Sequence, residues 1–422
     1  MSQNLVMAPS VPPTDGAALP DLHQRLRQAD GLKTRRSLLL IAPLLVFVVV
    51  CFLFPIISIL SKSVDNPQLH DNLPQTSAAL QQWSGKTLPD EALFAVLGEE
   101  LIAARKDGRL AIIAKRLSYE DASYRRLIMT TPRLVPASGS GVKAALIARQ
   151  PLWGELSTWQ TLKRVANPVT SYYLLSVFDR KVDAKTGVER PLPADQALYV
   201  NVLLRTLWMA TVVTLLCVGI GYPLAWWLAK QPANRANLLM ILVLLPFWTS
   251  LIVRTASWIV LLQSGGLINR ALMASGIIDH PLTLVFNRIG VFISMTHILL
   301  PFIVLPLYAV MKGISPGYVR AAVSLGAHPF VAFWRVYVPQ TYAGIAAGAL
   351  LVFMMAIGYY VTPALLGGPD DQMVSYFVAF FTNSTMNWGM AAALGSQLLV
   401  IVLLLYIVYV RVTRTSAEAA AH

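Results

Sequence analysis

Acidic residues are scarce where they would matter most in this 422-residue chain. Asp and Glu number 21 against 34 Lys and Arg, and none falls in the six longest apolar runs. Proton- and sodium-coupled carriers place carboxylates at mid-membrane, so this lack argues against a self-contained secondary carrier. Cysteine is nearly absent too. Cys51 and Cys217 both lie in apolar runs and build neither a disulfide framework nor a zinc site. The six histidines, His23, His70, His280, His297, His328 and His422, never recur at i, i+4, so no metal site is expected. A nucleotide-binding phosphate loop is lacking as well. Gly85-Lys86-Thr87 has its last residues, but Leu80 stands where the first glycine is needed.

Charge of either sign is sparse, at 13% of residues against about 25% in an average soluble domain. Hydrophobic residues make up 56%, and the mean hydropathy is +0.58. A coiled coil, a disordered chain and most water-soluble enzymes are excluded. The net charge of +13 spreads along the chain and collects on no single basic face, which excludes nucleic acid as the partner.

What is present is lipid-compatible sequence. About 20 mainly apolar residues cross a bilayer core. Six runs qualify, at 37–61 and near 200–229, 238–263, 289–311, 341–363 and 390–410. The first exceeds a signal-peptide core and lacks a small-residue cleavage site, so it reads as an uncleaved anchor. Arg25, Arg27, Lys33, Arg35 and Arg36 precede it and predict a cytoplasmic amino terminus. Lys230, Arg235, Lys312, Arg320, Arg335, Arg411 and Arg414 fall on the same side, which puts both termini in the cytoplasm. Trp226, Trp227, Trp258 and Trp388 sit near span ends, as interfacial aromatics do.

The expected fold is an all-α membrane protein of six transmembrane helices, with a large extracytoplasmic α+β insertion between the first and second. Its parts are a cytoplasmic tail over 1–36, the first helix over 37–61, the insertion over 62–198, a five-helix core over 199–411 and a short cytoplasmic tail over 412–422. The insertion holds 18 basic and 14 acidic residues. Segments 93–101 and 110–117 read as short helices, and 162–178 reads as partly β-rich.

Three features inside the spans stand out. Arg254 is costly in lipid unless it snorkels, pairs structurally or lines a polar path, and these readings stay open. His297 either hydrogen-bonds within the bundle or faces a path. Gly344 and Gly348, set among alanines, have the spacing of a closely packed helix interface.

The most informative segment is the loop 312–340, KGISPGYVRAAVSLGAHPFVAFWRVYVPQ. Ser315 suits an N-cap, Pro316 a first helical residue and Gly326 a left-handed C-terminal cap. Pro329 can start a second short helix. Ala321, Ala322, Gly326, Val336, Val338 and Pro339 reproduce the spacing of a signature loop, in which Glu-Ala-Ala is followed after three residues by Gly and after nine more by hydrophobic-x-hydrophobic-Pro. In these residues the chain resembles the permeases of binding-protein-dependent ABC importers. Arg320 departs from the pattern by standing at the Glu position. The likeness extends over roughly 201–410, where LPFWTSLIVRTASWIVLL and IGYYVTPALLGGPDD look like the spermidine/putrescine branch.

The resemblance implies a transport subunit of a bacterial inner membrane and not an enzyme. It implies a second permease subunit, a dimer of ATPase subunits that binds ATP and magnesium, and an extracytoplasmic solute-binding protein, with no cofactor in this chain. Ser315, Arg320, Ala321, Ala322, Gly326, Val336 and Pro339 would form the ATPase-coupling loop. Arg254, His297, Tyr359, Tyr360, Asp370 and Asp371 are candidates for the translocation path. Loop capping is an equal reading for the two aspartates. A polyamine is the expected solute, with an amino-acid derivative or an opine as alternatives. A non-transporting sensor or scaffold is the competing function.

Overall fold

A computed structural model describes residues 41–136, 141–183 and 187–419, with side chains described as far as Arg411. The basic cluster 25–36, the tail 1–36 and Arg414 fall outside these side-chain descriptions. The chain divides into two units, Met1–Ile59 and Leu60–His422.

The described part of the first unit is helical and apolar on all sides, as a lipid-exposed helix must be. Its ladder widens to a π turn over Val49–Leu53. Pro55 explains the turn, because it has no N–H for the carbonyl one turn back and its ring crowds that carbonyl.

The second unit opens with the insertion, which folds as a helical body and not as α+β. Its larger helices are Glu91–Lys106, Leu110–Ser118 and Leu156–Val165. The only sheet among the described residues is an antiparallel hairpin, Arg180–Val182 against Glu189–Pro191. The stretch 162–178, expected to be partly β-rich, is helical at both ends instead. Trp159, Leu162, Val165 and Ala166 recur at helical spacing and all are buried, and that packing overrides the β preference of its valines and tyrosines.

Trp153, Trp159 and Phe94 form the centre of the insertion core, with ring centroids 4.5 and 5.3 Å from Trp159. Beside it lies a buried polar network. Arg116 Nε donates to Asn66 Oδ1 at 2.6 Å, and Glu120 accepts from both Arg116 and Arg164. Asn66 in turn donates to the carbonyls of Val165 and Asn167, so the start of the insertion is fastened near its end. A folded body can therefore interrupt the chain between two spans.

In the core, Tyr199–Ala229, Arg288–Gly313 and Tyr342–Ile357 pack side by side. Gly348 makes the close approach possible. A Cβ there would lie 2.5 Å from Ile303 Cδ1 and 3.2 Å from Ile303 Cα. The Gly344–Gly348 face thus packs within the chain, against the Arg288–Gly313 helix.

Among the described residues, five helices are long and apolar enough to cross a membrane, or six if one bent pair counts as a single span. Two expected runs change shape. The run 238–263 is broken into Ala233–Leu244, a 3-10 turn Leu245–Trp248 and Leu251–Leu262, so the candidate span becomes Leu251–Ala274. Pro246 starts the break, since it cannot continue the hydrogen-bond ladder. The run 341–363 is broken after Tyr342–Ile357, where a second short helix, Val361–Leu366, begins, and Tyr342–Ile357 joins Pro329–Gln340 at a 60° bend. The remaining spans, Ile41–Ser61, Tyr199–Ala229, Arg288–Gly313 and Trp388–Arg411, lie close to their expected bounds.

Candidate functional site

The loop 312–340 is a built structure. Ser315 Oγ accepts from Gly317 N at 3.2 Å, and Pro316 opens the helix Pro316–Ser324. The helix closes in a Schellman motif, in which Ala327 N donates to Ala322 O and Gly326 N to Val323 O. Gly326 holds φ +94 there, a conformation costly to any residue with a Cβ. His328 Nδ1 then accepts from Phe330 N, and Pro329 begins the second helix. That helix widens to a π turn over Phe333–Tyr337 just before Pro339, for the same reason as at Pro55.

One side of the pair is anchored. Ala332 and Val338 are buried, Phe333 meets the Trp226 ring at 5.6 Å, and Tyr337 stacks on Phe333. The other side is open. Leu325 is 89% exposed and Tyr318 more than half exposed, while Phe330 and Trp334, also more than half exposed, turn to the gap between the loop and the span ends. Arg320, Ala321, Gly326 and Pro339 are exposed, and Val336 is half-buried. A capped, rigid element thus presents apolar side chains to whatever lies beyond it.

The opposite end of the core is polar. Arg288 Nε lies 2.6 Å from Asp371 Oδ1, and Gly368 N donates to the other carboxylate oxygen at 3.0 Å. Arg205 and Arg288 both donate to the Asp370 carbonyl, at 2.5 and 3.2 Å. The Arg288 guanidinium also sits 5.4 Å from the Trp208 ring centroid. Asp371 is therefore buried and committed to a pair and a cap, whereas the Asp370 side chain and Tyr360 are exposed. The Tyr359 carbonyl accepts from Ser375 Oγ at 2.6 Å. Arg205 and Arg288 were readable in the sequence only as charges near span ends. Their convergence on residues 165 and 82 positions away has no local signal.

Inside the span region, Arg254 reaches back to the helix break. It donates to the Pro246 carbonyl and, at 2.9 Å, to the Thr249 carbonyl. The Pro246 carbonyl also accepts from the Thr249 N–H and hydroxyl, so the guanidinium adds to a turn that is already closed and takes up the Thr249 carbonyl beyond it. Trp258 Nε1 donates to His297 Nδ1 at 3.3 Å. Trp258 lies four residues after Arg254 on Leu251–Leu262, so this bond sets His297 against the helix that carries Arg254.

The insertion is fastened to this same end. The Asp179 carboxylate accepts from the backbone N–H groups of Leu198, Tyr199 and Val200 at 2.8–3.0 Å, where the Tyr199–Ala229 helix begins. Gln397 Nε2 donates to the Val177 carbonyl at 3.2 Å, which ties the insertion to the last span.

Comparison with known proteins gives this geometry its context. Residues 221–417 match the family described as binding-protein-dependent transport system inner membrane component. The chain is 36% identical over 217 residues to the spermidine/putrescine transport system permease protein PotB of Escherichia coli (strain K12), covering 51% of this chain and 79% of that protein. The chain belongs to the inner-membrane permeases of binding-protein-dependent transport systems. It is also 31% identical over 225 residues to the inner membrane ABC transporter permease protein YdcU of the same organism, covering 50% of this chain and 71% of that one. A solved bacterial alginate ABC transporter in complex with an alginate pentasaccharide-bound periplasmic protein aligns over 51% of this chain and 78% of the other, with a TM-score of 0.43 and 17% identity. The permease is a transport component of an importer and not an enzyme. Its family match contains the whole 312–340 loop and lies outside the insertion.

Proposed function

We propose that this permease carries a polyamine of the spermidine or putrescine type through the inner membrane, driven by ATP hydrolysed in a separate subunit. The observation that supports this most is the likeness to spermidine/putrescine permeases over about half the chain. Six spans, with the bent pair Pro329–Gln340 and Tyr342–Ile357 taken as one, put both termini in the cytoplasm, and the insertion then lies outside. The loop 312–340 faces the cytoplasm in this arrangement. Its helices are capped at Ser315, Gly326 and His328, and its open face carries Tyr318, Ala321 and Leu325. A rigid element of this kind can transmit a rigid-body motion, so we assign it as the contact with an ATPase dimer that binds ATP and magnesium. A second permease subunit completes the path, and a solute-binding protein docks on the outer end.

For the path itself, we assign Arg254, His297 and Tyr359 within the span region, with Tyr360 and the Asp370 side chain nearer the outer mouth. Asp371 is assigned a structural role, because its carboxylate is already paired. One observation favours a second reading of the solute. Arg205 reaches the Asp370 carbonyl with its buried Nε unpartnered among the described residues, and an open guanidinium edge there suits a solute with a carboxylate beside its amine, such as an amino-acid derivative or an opine.

Uptake of labelled spermidine, putrescine and an opine into cells making the full transporter tests both readings. Polyamine uptake that competes poorly with the opine supports the first, and the reverse pattern supports the second. Wild-type permease that purifies with no ATPase subunit would sink the coupling assignment.

A further inference from the structure

The anchored side of the loop leaves an open groove of about 1190 Å³ between the helix pair and the ends of two spans. Its walls are aromatic, with Trp226, Phe330 and Trp334 among them, and its charged lining is Lys230, Lys312 and Arg320 without a carboxylate. Lys230 lies 3.5 Å over the Trp226 ring and donates no hydrogen bond among the described residues. Lys312 donates to the Gln231 carbonyl at 3.3 Å, which leaves its other N–H groups free. Tyr222 and Met311 place the groove's inner end on the last turns of Tyr199–Ala229 and Arg288–Gly313, and its outer end is open.

Three features narrow the occupant. The groove starts at the level where two apolar spans end, so it straddles the boundary between hydrocarbon and water. Its cations have no internal counter-charge, and an anion there gains from all three at once. Its aromatic walls suit the amphipathic glycerol and upper acyl region, as interfacial Trp and Tyr do. We propose that the groove binds one anionic phospholipid, with its phosphate among Lys230, Lys312 and Arg320 and its upper chains against Trp226, Phe330 and Trp334. Basic pockets between transmembrane helices bind anionic headgroups in this way. A lipid so placed lies beneath the loop and fills the space between it and the spans. The proposal does not depend on the solute, and of the coupling residues it uses only Arg320, leaving the open face of Tyr318, Ala321 and Leu325 to other contacts.

The test uses the full transporter reconstituted in nanodiscs of equal parts phosphatidylcholine and phosphatidylglycerol. The complex is then exchanged into detergent and its retained lipid is read by native mass spectrometry. Arg320 stays intact because it belongs to the coupling loop. Wild type is expected to retain phosphatidylglycerol. Each of Lys230→Gln and Lys312→Gln is expected to weaken retention about fivefold, and the pair about thirtyfold. The charge-keeping pair Lys230→Arg with Lys312→Arg is expected to keep it, which separates lost charge from lost folding. Equal retention in wild type and the Gln pair would overturn the proposal. So would retention of phosphatidylcholine alone, displacement of the lipid by inorganic phosphate, or retention seen only after residues 1–36 are deleted, which would make that segment the native occupant.

Discussion

Arg288 and Asp371, 83 residues apart in sequence, form an ion pair at 2.6 Å that fastens the start of the Arg288–Gly313 helix to the loop before Val374–Asn383. Asp371 is only 5% exposed and Arg288 is partly open, so the pair is screened on one side only. Asp371→Ala removes the partner of the guanidinium and the cap on Gly368 N together. It is expected to cost about 1–3 kcal/mol, read as a lower melting temperature of the purified permease. A double-mutant cycle with Arg288→Gln should show non-additive coupling, and purely additive losses would argue against the pair.

Gly326 should tolerate change according to backbone conformation and not to volume. A Cβ there meets nothing within 4 Å, but φ is +94. Gly326→Ala is therefore expected to cost about 1–2 kcal/mol through left-handed strain alone, and Gly326→Asn less. Solute uptake with membrane insertion held constant should rank glycine above asparagine above alanine. An alanine variant with full uptake would show that the cap does not matter to transport.

The Asp179 carboxylate should stabilise the first core span from outside it. It receives three N–H groups at the helix start, where a negative charge also meets the positive end of the helix dipole. Asp179→Asn keeps a side-chain acceptor but loses the charge, at about 0.3–1 kcal/mol. Asp179→Ala loses both, and its backbone φ of 53 then adds strain. Thermal melts should order the three as aspartate, asparagine, alanine.

Alkaline pH should weaken the insertion. Burial pushes the Tyr172 phenol, and likewise that of Tyr119, up to about 12. The fold therefore favours the neutral phenols over the unfolded chain, whose tyrosines titrate near about 10. This stabilisation is complete below about pH 10 and is lost as pH rises towards about 12. Melting temperature against pH should fall across that window, and Tyr172→Phe should flatten the fall. The same variant loses the 3.0 Å bond to the Tyr119 carbonyl and should start lower by about 0.5–1.5 kcal/mol.

Features that depend on neighbours in sequence were legible without the fold. The caps at Ser315 and Gly326 are local, because a side chain or a φ value satisfies groups within a few residues. Apolar runs marked most spans, because a bilayer imposes its length on consecutive residues. The break at Pro246 was missed because a run of apolar residues looks continuous when only composition is read. Its signals, Pro246 itself and Arg254 eight residues later, acquire meaning only when the guanidinium is seen on the carbonyls of the turn. The helical insertion was misjudged because valines and tyrosines prefer strands only where a sheet surface exists to receive them.

By itself the sequence determined the class of this protein: a membrane permease, with its spans, its charge asymmetry and its loop spacing. Each of these rests on periodicity, run length or fixed separation, which a linear chain carries. Only the tertiary structure decided which charges are spent and which are open. Asp371, Arg288 and Asp179 are committed to distant partners, and Lys230, Lys312 and Arg320 share one aromatic groove. The reason is physical. The state of a charged group depends on what surrounds it in three dimensions, and those surroundings come from residues tens to hundreds of positions away.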